Sequence, residues 1–214
     1  MCTNLDKSGP ASVAHPGRGL NPGVAGKSPR EAAWRVFYDT RFGRGILAWR
    51  GGILMGHELP APESKKSPAA PGGGGEESFG KTLASSKPWQ RRLAAPVVAS
   101  LESYFAGVRV DFGALSLPLD FDSLTDFEHD VIQALASVGY GNVLSYGELA
   151  RRSGHPRAWR AVGSAMARNR YPLIVPCHRV VRSGGKLGNF SLGPEWKQRL
   201  LDLEGVRPAC LETG

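Results

Sequence analysis

Two capping boxes constrain the second half of the chain more than any other feature. Thr125-x-x-Glu128 and Ser145-x-x-Glu148 each set a hydroxyl at a helix start and a carboxylate three residues later. The two side chains then satisfy backbone N–H groups that a helix end otherwise leaves unpaired. After the first box, Phe127, Val131, Ile132 and Leu135 recur on one helical face. The second opens a short helix from Tyr146 to Arg152, which Gly154 ends, and Pro156 suits the first turn of the next. In that third helix Ala158, Ala161, Val162, Ala165 and Met166 fall on one side, with Arg157, Arg160, Ser164 and Arg168 on the other. A last helix opens at Gly193-Pro194, turns Trp196, Leu200 and Leu203 inward, and stops at Gly205.

The first half is organised differently. Residues 1–30 are rich in Gly, Pro, Ser and Lys without an apolar period, and disorder is expected there. Between Trp34 and Leu59 short apolar bursts alternate with turn residues, and Gly51-Gly52 predicts a hairpin. The Gly/Pro/Ser-rich stretch from Pro60 to Gly80 reads as a flexible insert, extending over about 60–87. Pro88 can start a helix carrying Leu93, Val97, Leu101 and Tyr104 at helical spacing, with Gly107 as its stop. Pro96 inside it implies a kink, and "VRVDF" after it suggests a strand. The expected plan is α/β: an N-terminal domain over 31–112, a C-terminal domain over 113–207, and a tail over 208–214.

Charge is unevenly placed along the chain. Residues 101–148 hold one basic and eight acidic side chains, whereas 149–194 hold nine basic and none acidic. Eight of those nine are Arg, the side chain that grips phosphate with a two-pronged fork. Two short helices, a tight turn and an arginine-faced second helix form a helix-turn-helix pattern. A plain helical hairpin has the same apolar spacing. The coincidence of arginine face and acid-free block favours double-stranded DNA. Arg157, Arg160, Ser164, Arg168, Arg179 and Ser145 are the candidate contacts. The small inward residues, with Gly163 and Ser164 outside, keep this helix slim enough for a minor groove.

Within the basic block lies "YPLIVPCHRVVRSGG", Tyr171 to Gly185. A thiol becomes a nucleophile when a base or a positive field eases loss of its proton. His178 is adjacent to Cys177, and Arg179 and Arg182 add positive potential. Neighbouring side chains on an extended segment point apart, so contact needs a bent backbone or a bridging water. Pro176 is placed to supply the bend. The imidazole needs an orienting acceptor, and no acid lies between Glu148 and Glu195. Glu204, at the helix end where cations are favoured, is either that acceptor or an ordinary exposed side chain. Cys2 and Cys210 lie near the ends, and no CxxC or HxxxH spacing exists, so neither a disulfide framework nor a metal site is expected.

The motifs "VPCHRV", "SYGELA", "RAVGSAMARN" and "GNFSLG" closely resemble the O6-alkylguanine-DNA alkyltransferase family over roughly Leu119 to Val206, and more weakly over Trp34 to Phe112. The resemblance implies a small antiparallel-sheet, RNase H-like N-terminal domain and a helical C-terminal domain with the helix-turn-helix. It implies a single-turnover alkyl acceptor at Cys177, proton transfer through a water to His178, and Glu204 holding the imidazole. Tyr146 would assist the departing guanine, Arg160 would fill the gap left by a flipped nucleotide, and Asn169 would tie the recognition helix to the active-site segment. Val180 and Ser191 would line the base pocket together with Leu192, where relatives often carry glycine; this departure implies a narrower pocket. Asp126-Phe127-Glu128-His129 also departs from the usual pattern at its helix start. No cofactor is implied. A monomer is expected, with no membrane partner, in the cytoplasm beside the nucleoid or in a nucleus. A lesion-recognition module without transfer, a cysteine hydrolase and an alkylation-sensing regulator are the alternatives.

Overall fold

The structure, a computed structural model, describes residues 33–61 and 81–206. The segment 1–30, most of the Gly/Pro/Ser insert and the tail 208–214 lie outside the described residues. Three strands, β1 (Ala33–Thr40), β2 (Gly43–Arg50) and β3 (Ile53–Ala61), pair antiparallel in chain order. A short β4 (Lys81–Thr82) adds to the free edge of β1 in parallel, giving the order β3-β2-β1-β4. The hairpin expected at Gly51-Gly52 forms, with Arg50 opposite Ile53 and Gly51 at φ 57°, a left-handed conformation glycine adopts at little cost. Period-two alternation turns Val36, Tyr38, Leu47 and Trp49 to one face.

Helix α1 (Pro88–Phe105) covers that face through Ala94, Val97, Val98, Leu101, Tyr104 and Phe105. Pro96 lies on its exposed side, and the helix carries on to Phe105. Two expectations fail here. Pro60 and Ala61 complete β3 and Lys81–Thr82 form β4, so these ends of the expected insert belong to the sheet. "VRVDF" is no strand: Asp111 accepts a hydrogen bond from the Gly113 N–H at 3.0 Å and caps a 3-10 turn over Phe112–Leu115. A side-chain acceptor two residues back satisfies the backbone locally and removes the need for a partner strand.

The second half is helical. It runs through α2 (Asp126–Ala136), β5 (Leu144–Ser145), α3 (Tyr146–Arg152), α4 (Trp159–Ala167), β6 (Val180–Val181) and α5 (Pro194–Leu203). Both capping boxes close as expected, Ser145 and Glu148 exchanging bonds of 2.6 and 3.1 Å. Helix α4 begins later than its sequence suggests: Pro156 and Arg157 lie in the preceding turn. Of its expected inward residues, Ala161 is exposed, while Val162, Ala165 and Met166 are buried. One continuous hydrophobic cluster runs from Val36 in the sheet to Leu200 in α5, so sheet and helical layers share a core.

A polar clamp joins the sheet to the loop before Cys177. His57 of β3 bonds the Pro172 carbonyl through Nδ1 and the Tyr38 hydroxyl through Nε2, both at 2.7 Å, and its backbone N–H donates to the Arg170 carbonyl at 2.9 Å. Because a carbonyl only accepts, Nδ1 carries the hydrogen and Nε2 accepts from Tyr38. Tyr38 in turn lies flat across Gly45 on the neighbouring strand, where an added Cβ would sit 2.1 Å from the ring. Gly45→Ala is therefore expected to cost about 2 kcal/mol of stability, read as a lower urea midpoint. Gly52→Ala, with nothing within 4 Å, should leave the midpoint in place.

Candidate active site

Cys177, His178 and Arg179 form a single 3-10 turn directly after Pro176. This is the bend an adjacent Cys-His pair requires. The loop leading into it is held taut: Val175 N–H bonds the Tyr171 carbonyl at 2.8 Å, and buried Leu173 sits at φ 73°. Such a left-handed conformation costs a non-glycine residue on the order of 1 kcal/mol, offset here by burial of Leu173 and by the His57 clamp. Asn169, just past α4, pins the loop to the helix. Its Oδ1 accepts from the Tyr171 N–H at 2.9 Å, and its Nδ2 donates to the Val175 carbonyl at 2.9 Å and to Cys177 Sγ at 3.1 Å. Parallel pairing of β5 with β6 brings Tyr146, the first residue of α3, against the same segment.

Glu204, at the C-cap of α5, is buried, which settles the question its sequence position left open. Its carboxylate accepts from His178 Nε2 at 2.8 Å, from Tyr104 at 2.9 Å and from the Gly141 N–H at 2.9 Å. Arg179 grips it through Nε at 2.9 Å and Nη2 at 2.8 Å. Burial works to raise its pKa, but the bonds and charges of His178 and Arg179 outweigh that and hold it at about 2. An ionised carboxylate only accepts, so Nε2 of His178 carries the hydrogen and Nδ1 keeps its lone pair. That Nδ1 is buried and has no hydrogen-bond partner among the described residues. Burial also lowers the pKa of His178, leaving the imidazole neutral.

The thiol itself is buried, and burial raises its pKa against the lowering pull of Asn169 and Lys197. At rest it is protonated. Lys197 was not singled out from the sequence, yet it is fully buried on the inner face of α5. Its ammonium donates to the Val180 carbonyl and lies 5.9 Å from the centre of the Tyr146 ring. Burial lowers its pKa to about 8. The phenol of Tyr146 is raised by burial and by the nearby thiolate form of Cys177, so it remains a proton donor. Gly188, at φ 70°, lets the following loop lie on this ring, since a Cβ there would meet it at 3.3 Å.

The expected DNA contacts divide. Arg157, Arg160 and Ser164 are exposed on and just before α4. Arg179 is not a surface contact: it is buried, with its guanidinium spent on Glu204 and the Val138 carbonyl. Arg168 is exposed, but its Nε donates to Glu128 of the first capping box at 2.8 Å. Ser145 is half-buried and caps α3. Val180 is fully buried, whereas Ser191 and Leu192 are exposed on the loop before α5. Among the described residues, no cluster of His, Cys, Asp and Glu is arranged to hold a metal, and no helix is long and apolar enough to cross a membrane.

Residues 126–206 match the model of the 6-O-methylguanine DNA methyltransferase DNA-binding domain. A methylated-DNA–protein-cysteine methyltransferase from Methanopyrus kandleri is 43% identical over 110 residues, 51% of this chain and 79% of that protein. One from Cricetulus griseus is 35% identical over 172 residues, 75% of this chain and 76% of its own. The chain belongs to the methylated-DNA–protein-cysteine methyltransferase family. Among solved structures, Mycobacterium tuberculosis OGT in complex with DNA superimposes with a TM-score of 0.60 at 32% identity, covering 83% of this chain and 96% of that one.

In this methyltransferase the residues missed at sequence level had a readable signal. Lys197, Leu200, Leu201 and Glu204 recur at the i, i+3, i+4 and i+7 spacing of one helical face, and all four are buried. Of the expected inward set, Leu200 is fully buried, whereas Trp196 and Leu203 are only partly buried beside Lys197 and Glu204. Polar ends on an apolar stripe mark buried functional groups. Acid stability should reflect two buried titratable groups, His57 of β3 and Glu204. His57 is held by burial at about 4 against its ordinary 6.5, so the unfolded chain protonates first and stability falls as pH drops from about 6.5 to 4. Glu204, at about 2 against 4.5, adds a second loss between about pH 4.5 and 2. Urea midpoints followed from pH 7.5 to 3 should decline through both windows, and Glu204→Gln should flatten the lower one.

Proposed function

We propose that this protein repairs duplex DNA by moving the alkyl group of an O6-alkylguanine onto its own Cys177, once per molecule. The observation that carries the reading is the buried, unpartnered Nδ1 of His178, whose other nitrogen is fixed on an ionised Glu204. A neutral imidazole held this way can take the thiol proton, through one water where it cannot touch sulfur. In the transfer the Sγ–carbon bond forms as the carbon–O6 bond breaks. The thiol proton passes to His178, and Tyr146 gives hydrogen-bond or proton assistance to the departing guanine, a poor leaving group as a bare anion. Lys197 steadies the thiolate as it develops. The thioether has no easy route back, so the protein is consumed.

Access to O6 requires the nucleotide to leave the stack, which costs a few kcal/mol. Arg160 enters the vacancy, and Arg157, Ser164 and Ser145 steady the flanking backbone, with α3 and α4 acting as a helix-turn-helix approaching the minor groove. Arg168 adds to that contact from its bond with Glu128. The Cys177 and Val180 carbonyls face the exocyclic amine, the Ser191 N–H approaches O6, and Leu192 narrows the pocket toward small adducts. This assigns 31–112 to a supporting domain and 113–207 to a DNA-binding and acceptor domain. The protein works as a monomer where the DNA is, at the nucleoid or in a nucleus.

Incubation with a duplex carrying one O6-methylguanine should add one methyl to the peptide containing Cys177 and restore an equal amount of guanine. Tight lesion binding without a mass gain would instead describe a recognition module. Arg160→Ala should slow transfer from duplex at least tenfold, an order set by the cost of unstacking, while leaving transfer from the free O6-methylguanine base unchanged. Equal losses on both substrates would remove Arg160 from the stack.

A further inference from the structure

One large aromatic side chain on the DNA-facing surface has no place in the mechanism above. Trp159 opens α4, directly before Arg160, and is 51% exposed. The sequence pattern described a slim helix of small residues, and the structure puts an indole at its leading end. Among the described residues it belongs to no buried cluster, and its neighbour among charged and aromatic groups is the Arg160 guanidinium, 4.8 Å from the ring centre. Exposing an indole to water is unfavourable, and retaining one beside an arginine on a solvent face points to a partner with flat, apolar faces.

The geometry points to Trp159 as a second stacking element, which lies against a base beside the site of nucleotide extrusion when the protein is on DNA. This rests on the assignment of Arg160 to that vacancy. The charge around Trp159 fits this partner and excludes an acidic surface of its own: Arg151, Arg152, Arg157 and Arg160 are all exposed nearby in sequence, and no acid occurs between Glu148 and Glu195. In the free protein the guanidinium rests on the indole as a cation–π pair, which keeps both groups extended from the start of the helix. On DNA the arginine moves into the stack and the freed indole face meets an unstacked base. An apolar wedge next to a cation is the usual chemistry by which minor-groove proteins separate base steps.

Stacking and charge separate in a salt titration. For Trp159→Ala, binding to an O6-methylguanine duplex, measured by fluorescence anisotropy, should weaken about tenfold at fixed salt. The slope of log K against log salt should not change, because no phosphate contact is lost. Trp159→Phe should recover most of the affinity, and transfer from the free O6-methylguanine base should match the wild type in both variants. Unchanged or tighter duplex binding by Trp159→Ala would overturn the proposal. So would a slope reduced by about one, which would make the indole a prop for Arg160. If the wild-type protein takes no alkyl group from either substrate, the repair assignment fails, and the anisotropy series alone still decides the role of Trp159.

Discussion

A single buried carboxylate organises this molecule. Glu204 accepts hydrogen bonds from α1 through Tyr104, from the loop before β5 through Gly141, and from the acceptor segment through His178 and Arg179. Four separate stretches of chain therefore meet at one charge. Burying a carboxylate alone would be prohibitive; surrounded by an arginine fork, an imidazole, a phenol and an amide it becomes the fixed point around which they pack. It stands at the end of α5, where the helix dipole opposes an anion, so its placement is tolerated because of the partners and not because of the helix. The same bond that stabilises the fold fixes the His178 tautomer, so stability and reactivity rest on one group.

The sheet contributes to the chemistry at a distance. Tyr38 and His57 form a relay of buried polar groups that ends on the Pro172 carbonyl, next to Leu173, a buried non-glycine residue held in a left-handed conformation. That loop delivers Asn169 to the thiol and Cys177 to its 3-10 turn. The sheet thus helps fix the path of the loop that leads into Cys177. On the opposite side, α3 and α4 present arginine and tryptophan to solvent while resting on an interior of small aliphatic residues.

Much of this was legible in the sequence where local chemistry decides the outcome. Capping boxes announce helix starts because the bonds close within four residues, and both formed as written. The Gly51-Gly52 hairpin followed from backbone geometry alone. Cys177 beside His178, after Pro176 and inside an acid-free arginine block, pointed to the segment that the structure folds into a buried 3-10 turn. The misreadings share a physical cause. "VRVDF" has strand-forming residues, but a side-chain cap two residues long outcompeted extended pairing. Arg179 looked like one more phosphate contact, since composition cannot tell a cation facing water from one that folds back onto a buried acid.

By itself the sequence determined the helix starts, the Cys177-His178 pair and the acid-free arginine block around it, because these depend on residues close together in the chain. Tertiary structure decided which charges are buried. Glu204 became a buried acceptor, Arg179 its partner and Lys197 a cation beside the thiol only when α5 packed against the Cys177 turn and α1. Burial of a charge is a property of what surrounds it, and those surroundings come from residues up to a hundred positions away, as in the bond from Tyr104 to Glu204. Trp159 shows the reverse case. The packing of α4 leaves its apolar side chain facing the solvent beside Arg160.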